Sequence, residues 1–442
     1  MTFKKWLTLL AISLGVFMSL LDVTVVNVAL PAIQKTFGAD FGVIQWILNG
    51  YTIAFAVALL IMSNLGDRYG KKRIFMISLL IFTLASLGNA LSPNIHILVL
   101  SRIIQGIGGA GLMSLAMSLV ATIFDGKTRA LAISIIGSVI GFATASGPLV
   151  GGVLIDAFGW QSIFLINIPI GMLSLLSVSK LVSETEMYHV ESKIDYMGML
   201  LSAIFLFSAI FGLIQKEENL TMSWFNLKIS GWLILSLISL IVFILHERRI
   251  ANPLIDFMLL KDKHIVGILI VAFILGFAIY SYSTFLTILM QNYIGWTPLK
   301  TGVNQLFISV WSLIIGPATA MIGKKFQKKF VTAFGMLLAL FGFVSMNLNF
   351  SLNMTLISIV PTMILIGLCN AFVNPMINTS AMEYIERQHI GTISGLLNVA
   401  RQLGTSFGIV ILGLVQSSAY NDYLNNNLSK ETNSAISAIK DA

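Results

Sequence analysis

Along the chain, apolar residues gather into long blocks separated by short polar breaks. The blocks begin near Trp6, Val43, Ile74, Ile95, Ala130, Ser162, Tyr196, Ser230, His264, Thr301, Phe330, Met354 and Gly391. Each is about 20 residues or more, the length at which a helix crosses a hydrocarbon layer of about 30 Å. The alternating polar pattern of membrane barrel strands is missing, so the spans are predicted to be helices. The pattern thus predicts an all-α membrane protein with about thirteen spans. Longer polar connections near Ser183 to Asp195 and near His246 to Lys263 group these spans as six, two and five. The expected organisation is a six-helix half over 1–182, a middle helix pair with flanking loops over 183–263, a C-terminal half with five evident helices over 264–420, and a polar tail over 421–442. Two six-helix-type halves around an inserted pair predict an internally repeated transporter whose substrate path lies between the halves.

Composition agrees with that pattern. Of 442 residues, 57% are hydrophobic and 10% charged, where a soluble domain carries roughly 25% charged residues. Mean hydropathy is +0.89. Net charge is +8, but the basic residues fall in clusters between apolar blocks rather than on one face, which argues against nucleic-acid binding. Arg68, Lys71, Lys72 and Arg73 follow span two, and Lys127 and Arg129 follow span four. Arg248, Arg249, Lys261 and Lys263 follow span eight, and Lys324, Lys325, Lys328 and Lys329 follow span ten. The positive-inside rule puts these loops and the N-terminus in the cytoplasm. The first block follows Lys4 and Lys5 as a signal peptide would, yet it is too long and lacks a small-residue cleavage pattern, so it is read as a retained span. Cys369 is the lone cysteine, which rules out an intramolecular disulfide.

Charges inside the spans point to chemistry. Asp22 lies about sixteen residues into span one, and Arg102 about seven residues from the outer end of span four, so both sit in the outer half of the bilayer. A buried cation is expensive unless it meets an anion or a water-filled cavity, so the two are predicted to interact directly or through water. One reading is a structural salt bridge. The other is proton coupling, since burial raises a carboxylate pKa while a nearby arginine lowers it, which can hold Asp22 where it titrates. Asp156, near the outer end of span five, is a second proton-coupling candidate or an ordinary interfacial acid.

Three motifs carry a resemblance. After span two comes Gly66-Asp67-Arg68-Tyr69-Gly70-Lys71-Lys72-Arg73, in which glycines permit a tight turn and charges can meet neighbouring helix ends. Span five holds Gly147-Pro148-Leu149-Val150-Gly151-Gly152, with small residues four apart for close helix approach and a proline for a kink. Span one holds Leu21-Asp22-Val23-Thr24-Val25-Val26-Asn27-Val28-Ala29-Leu30-Pro31, and Trp160 to Gly171 adds a fourth matching stretch. The first is similar to the loop motif of the major facilitator superfamily, which latches the two halves. The second resembles the antiporter motif of that superfamily's drug exporters, and the others resemble its fourteen-span drug:proton antiporters. Pro253-Leu254-Ile255-Asp256 and Asn398 to Gly404 match more weakly. The resemblance implies a major facilitator fold in the bacterial cytoplasmic membrane, with Gly66, Asp67, Arg68, Gly70, Lys71, Arg73, Gly147, Pro148, Gly151 and Gly152 as conformational residues. It also implies proton-coupled efflux of hydrophobic, often cationic compounds. Thirteen visible spans against fourteen leave the last helix either outside this chain or dispensed with.

An importer on the same fold is the closest rival, opposed mainly by the glycine-proline motif. A membrane sensor or embedded enzyme would need a signalling domain or catalytic constellation, and neither is evident. Gly106-Ile107-Gly108-Gly109-Ala110-Gly111 satisfies a dinucleotide fingerprint but lies within a span helix rather than after a strand. No Walker-type loop occurs, which points to an ion gradient as the energy source, and His96, His189, His246, His264 and His389 lack metal-site spacing. No cofactor or metal is expected. The expected partners are lipophilic drug-like substrates, protons and the bilayer, with the protein acting as a monomer. Asn370, Asn374 and Asn378 recur every four residues on one helix face, where they either bond other helices or line a cavity. Asn27, Trp46, Tyr51, Tyr280, Tyr282, Phe285, Trp311 and Asn374 are the candidate substrate contacts, the aromatic ones through stacking and cation–π contact or else as interfacial anchors.

Overall fold

A computed structural model describes residues 3–39, 41–182, 195–219, 221–250, 253–255, 257–349, 354–383 and 390–440. His189, Asp256 and His389, and most of the connection beginning at Ser183, lie outside the described residues, as do the side chains of the tail. The described chain is helical throughout. The N-terminal half comprises α1 (Phe3–Phe37), α2 (Phe41–Tyr69), α3 (Lys71–Ala90), α4 (Ile95–Ile123), α5 (Gly126–Phe158), the short α6 (Ser162–Leu165) and α7 (Asn167–Leu181). The middle pair is α8 (Tyr196–Glu218) and α9 (Leu227–Glu247). The C-terminal half comprises α10 (Lys263–Leu275), α11 (Ser281–Ile288), α12 (Pro298–Ile314), α13 (Gly316–Phe326), α14 (Lys328–Leu348), α15 (Leu356–Glu383) and α16 (Ile390–Lys440).

Among the described residues, eleven helices are long and apolar enough to cross a membrane, and the bent α5 makes twelve. The span predicted to begin at Thr301 is divided at Ile315 into α12 and α13, whose break precedes Gly316-Pro317. Within α5, the segments Thr128–Thr144 and Ser146–Phe158 meet at 48°. Pro148 accounts for this bend, because its ring clashes with the carbonyl four residues earlier and it has no N–H to give. Burial ranks the helices by position: 83% of the apolar window of α4 is buried but only 22% of that of α9, so α4 sits in the middle of its half and α9 at the lipid rim.

The middle pair is fastened at both ends. Asp195 caps α8 by accepting from Gly198 N at 2.8 Å, and its carboxylate also meets His246 Nε2 at 2.8 Å. Burial alone would raise the Asp195 pKa, but hydrogen bonds with the Gly198 amide, Glu247 and His246 outweigh it and hold the group below the usual carboxylate range. Glu247 reaches across to accept from Ile255 N at 2.9 Å, which ties α9 to the connection leading into α10. Farther along, Trp46 of α2 packs on Phe211 of α8, and Phe211 meets Trp232 of α9 edge-on at 4.8 Å between ring centroids.

The two halves touch along two seams, α5 against α12, α13 and α15, and α2 and α4 against α16. On the first seam, Gly302 of α12 lies directly on the backbone of α5: a Cβ there would meet Leu149 N and Cα and would stand 2.5 Å from Pro148 C. Gly137 rests against Pro375 at 3.1 Å in the same sense, and Gly141 against Ser312 and Asn370. No side chain can yield where the obstacle is backbone. Gly302→Leu is therefore expected to wedge the outer end of this seam open, lowering the thermal midpoint of the detergent-purified protein and raising labelling of a cysteine placed at Leu149 by a membrane-impermeant maleimide.

Candidate functional site

The N-terminal half contains a polar network enclosed by apolar helices. Asp22 of α1 and Arg102 of α4 are 2% and 0% exposed. They form an ion pair through Arg102 Nη1 and Asp22 Oδ2. Removing both charges from water costs several kcal/mol per ion, which the pair offsets only if the remaining donors and acceptors are also met. Here they are. Asp22 Oδ1 accepts from Gln105 Nε2 at 2.9 Å and from Asn167 Nδ2 at 3.1 Å. Arg102 Nε donates to Ile47 O at 3.2 Å and Nη1 to Gln105 Oε1 at 2.5 Å. The guanidinium also lies over the Tyr51 ring, 4.3 Å from its centroid. Gln105 Nε2 and Asn167 Nδ2 converge on Ser86 Oγ at 2.7 and 3.3 Å, and Asn89 Nδ2 donates to Gln105 Oε1 at 2.6 Å. Five elements, α1, α2, α3, α4 and α7, thus meet in one network around the Asp22 carboxylate.

Helical spacing explains the convergence. Arg102 and Gln105 are three apart on α4, as are Ser86 and Asn89 on α3, so each pair shares a face. Asn167 lies in the Trp160 to Gly171 stretch and Gln105 follows Arg102 by three residues, neither with a role assigned to it; the available signal was a polar side chain in an otherwise apolar span. The structure does not bring every candidate here. Asp156 is exposed near the outer end of α5, and Asn27 is exposed on α1. Trp46 turns toward the middle pair, as described above.

Around the loop after α2, Gly70 has φ 99°, a conformation open to glycine, which lets α3 start one residue after α2 stops. Asp67 pairs with Lys71 at 3.3 Å and abuts Gly391, the second residue of α16, where a Cβ would lie 2.7 Å from Asp67 Oδ1. A carboxylate near a helix N-terminus is favoured by the unsatisfied amides and the helix dipole, and Asp67 of α2 stands beside the described start of α16. Lys72 Nζ donates to Ser179 O at 3.0 Å, fixing α3 to α7. Gly66 packs on Leu115 of α4, while Arg68 is half-buried and Arg73 exposed. On α5, Gly147 faces Thr24 and Gly151 faces Val25, whose Cγ1 would be 3.1 Å from an added Cβ; Gly152 is also buried. The glycine-proline stretch therefore joins α1, which carries Asp22, to the seam between the halves.

In the C-terminal half, α10 passes through a π-helical turn, Gly276–Tyr280, into α11, which ends in a second such turn, Leu289–Tyr293. Tyr280 Oη accepts from Asn374 Nδ2 at 3.0 Å, and Asn374 also donates to Asn370 Oδ1. Asn378 Nδ2 bonds back to Asn374 O at 2.9 Å, so the four-residue asparagine row is partly intrahelical. Phe285 and Trp311 are half-buried, and Tyr282 stacks edge-on with Phe343 at 5.4 Å.

The Major Facilitator Superfamily profile matches residues 12–409. This chain belongs to that superfamily. The major facilitator chain is 32% identical over 426 residues to the probable actinorhodin transporter of Streptomyces coelicolor, covering 93% of this chain and 72% of that one. It is 30% identical over 412 residues to the methylenomycin A resistance protein of Bacillus subtilis, covering 92% and 86%. It is 29% identical over 422 residues to the tetracenomycin C resistance and export protein of Streptomyces glaucescens, covering 95% and 77%. Its fold is similar to that of the human organic anion transporter MFSD10, with a TM-score of 0.69, 15% identity and 93% of each chain covered. The proton:xylose symporter XylE superposes with a TM-score of 0.67 at 14% identity, covering 94% of this chain and 90% of that one. The protein is a multi-pass membrane transporter.

Because the Asp22 carboxylate and Arg102 guanidinium satisfy each other, removing one strands the other. Arg102→Met is expected to cost about 3–5 kcal/mol of stability. Adding Asp22→Asn to it should restore much of the loss, as read from thermal unfolding of the two variants in the same detergent.

Proposed function

We propose that this major facilitator protein exports hydrophobic, drug-like compounds, lipophilic cations among them, in exchange for protons, and that Asp22 carries the proton. The observation that supports this reading is the placement of Asp22: one carboxylate, enclosed in a span, held by Arg102, Gln105 and Asn167 and joined through α1 to the glycine-proline stretch of α5. Protonating Asp22 would weaken its attraction to Arg102 and free that guanidinium to seek other acceptors, so charge state and helix packing are coupled at this point. The names of the relatives, which speak of resistance and export, favour outward transport of antibiotics over uptake.

In this cycle the deprotonated protein binds its compound from the cytoplasmic side, the halves rock along the α5 and α2–α16 seams, and an outside proton taken by Asp22 promotes release. The Asp67 contact with α16 must break for the cytoplasmic side to open. A proton entering through 100 mV and one pH unit supplies about 2.3 plus 1.4 kcal/mol. One proton per neutral molecule thus sustains roughly a few-hundred-fold gradient, while a monovalent cation forgoes the electrical part.

Proteoliposomes holding the wild type or Asp22→Asn, given ethidium under an imposed pH gradient, test this. Ethidium-stimulated proton flux is expected in the wild type and lost in the variant. Undiminished coupled flux in Asp22→Asn removes Asp22 from the mechanism, and accumulation of ethidium on the side that gains protons, both moving in one direction, reverses the antiport assignment.

A further inference from the structure

A second arginine is buried in the spans without an acid. Arg401 of α16 is 6% exposed and lies eleven residues from the helix start, about 16 Å along the axis and so about half-way through a 30 Å hydrocarbon layer. Its Nη1 donates to Asn398 Oδ1 at 3.2 Å, from the same helix. Its Nε and Nη2 are enclosed and have no hydrogen-bond partner. It takes part in no ion pair among the described residues. The contrast with Arg102 is direct: there a carboxylate and an amide oxygen accept from Nη1 and a backbone carbonyl accepts from Nε. A guanidinium does not lose its proton in a protein, so burial cannot be relieved by neutralisation.

Which nitrogens are free narrows the occupant. Nε–H and the adjacent Nη2–H point in parallel from one edge of the guanidinium, and this pair matches the two oxygens of a carboxylate. Beside it stands the Tyr280 ring, with its centroid 6.0 Å from Arg401 Cζ. The Tyr280 hydroxyl accepts from Asn374, which leaves its own O–H to donate. Tyr280 closes the π-helical turn Gly276–Tyr280, and such single turns, which shift the side chains that follow, recur at functional sites. Arg401 is fixed from behind, since its backbone carbonyl packs on Gly276 of that same turn. Asp22 offers no counter-charge, because Arg102 already neutralises it.

We propose that Arg401 and Tyr280 form an anion subsite in the C-terminal half that receives the carboxylate, or an equivalent acidic oxygen pair, of an amphiphilic aromatic compound. The export reading supplies only the idea that this compound is cargo; the subsite itself rests on the unpartnered edge of Arg401. Cargo carrying an acid at one end and an apolar or cationic body at the other fits both halves, with its acid on Arg401.

The test uses a matched pair of probes, norfloxacin and its ethyl ester, which differ in the carboxylate. Binding is read as ligand-dependent thermal stabilisation of the full-length protein in detergent. The wild type is expected to bind the acid about tenfold more tightly than the ester, the effect of a charge-assisted bidentate contact. Arg401→Gln should abolish that preference, Arg401→Lys should keep part of it, and Tyr280→Phe should reduce it. A wild type that binds ester and acid alike overturns the proposal, and so does a preference that survives in Arg401→Gln. The wild-type comparison decides even if a variant fails to fold. Ethidium–proton exchange by the wild type is read separately: its absence alongside a clear acid preference would remove the export reading and leave the subsite. Its presence without an acid preference would remove the subsite alone.

Discussion

The N-terminal half is organised around a charge that lipid will not accept. Asp22 and Arg102 are enclosed in spans, and the half can close only in an arrangement that brings them together and also meets their remaining lone pairs and N–H groups. That requirement sets the rotation of α1 and α4, the faces of α3 and α7 that turn inward, and the position of Tyr51 beneath the guanidinium. Apolar packing alone would leave those rotations loose, because lipid tails solvate an apolar helix about as well as another helix does. The polar network supplies the direction that hydrophobicity lacks.

Contact between the halves follows a different principle. Along the α5 seam the determinants are small residues: Gly302 against Pro148 and Leu149, Gly137 against Pro375, and Gly141 against Ser312 and Asn370. Backbones come close without side-chain interlock, and surfaces of this kind can separate and re-form without breaking many directional bonds. At another contact a charged residue takes part, with the Asp67 carboxylate close to Gly391 at the described start of α16. A transporter that rocks needs halves that are rigid inside and separable between, and the distribution of polar networks and glycines provides both.

The two buried arginines illustrate how one side chain can serve opposite ends. Arg102 finds its acceptors within the protein, in the Asp22 carboxylate, Gln105 and the Ile47 carbonyl. Arg401 keeps two donors unpaired next to Tyr280, and unmet demand in a dry site favours whatever brings an acceptor.

Much of this was legible in the chain before any coordinates. Block length gave the helical membrane class, because the cost of unpaired backbone in lipid acts on sequence directly. Depth along the helices brought Asp22 and Arg102 to the same level, and Pro148 announced the bend in α5. Side-chain direction was not legible. Gln105 and Asn167 joined the acid, Trp46 turned to α8 rather than inward, Asp156 and Asn27 stayed exposed, and Arg401 was left without an acid. Helix rotation about its own axis decides these outcomes, and nearly uniform apolar spans carry little periodic signal to fix it. Sequence by itself determined what crosses the membrane and which charges lie inside it; tertiary structure alone decided which of those charges meet, because that depends on how neighbouring helices turn to face one another.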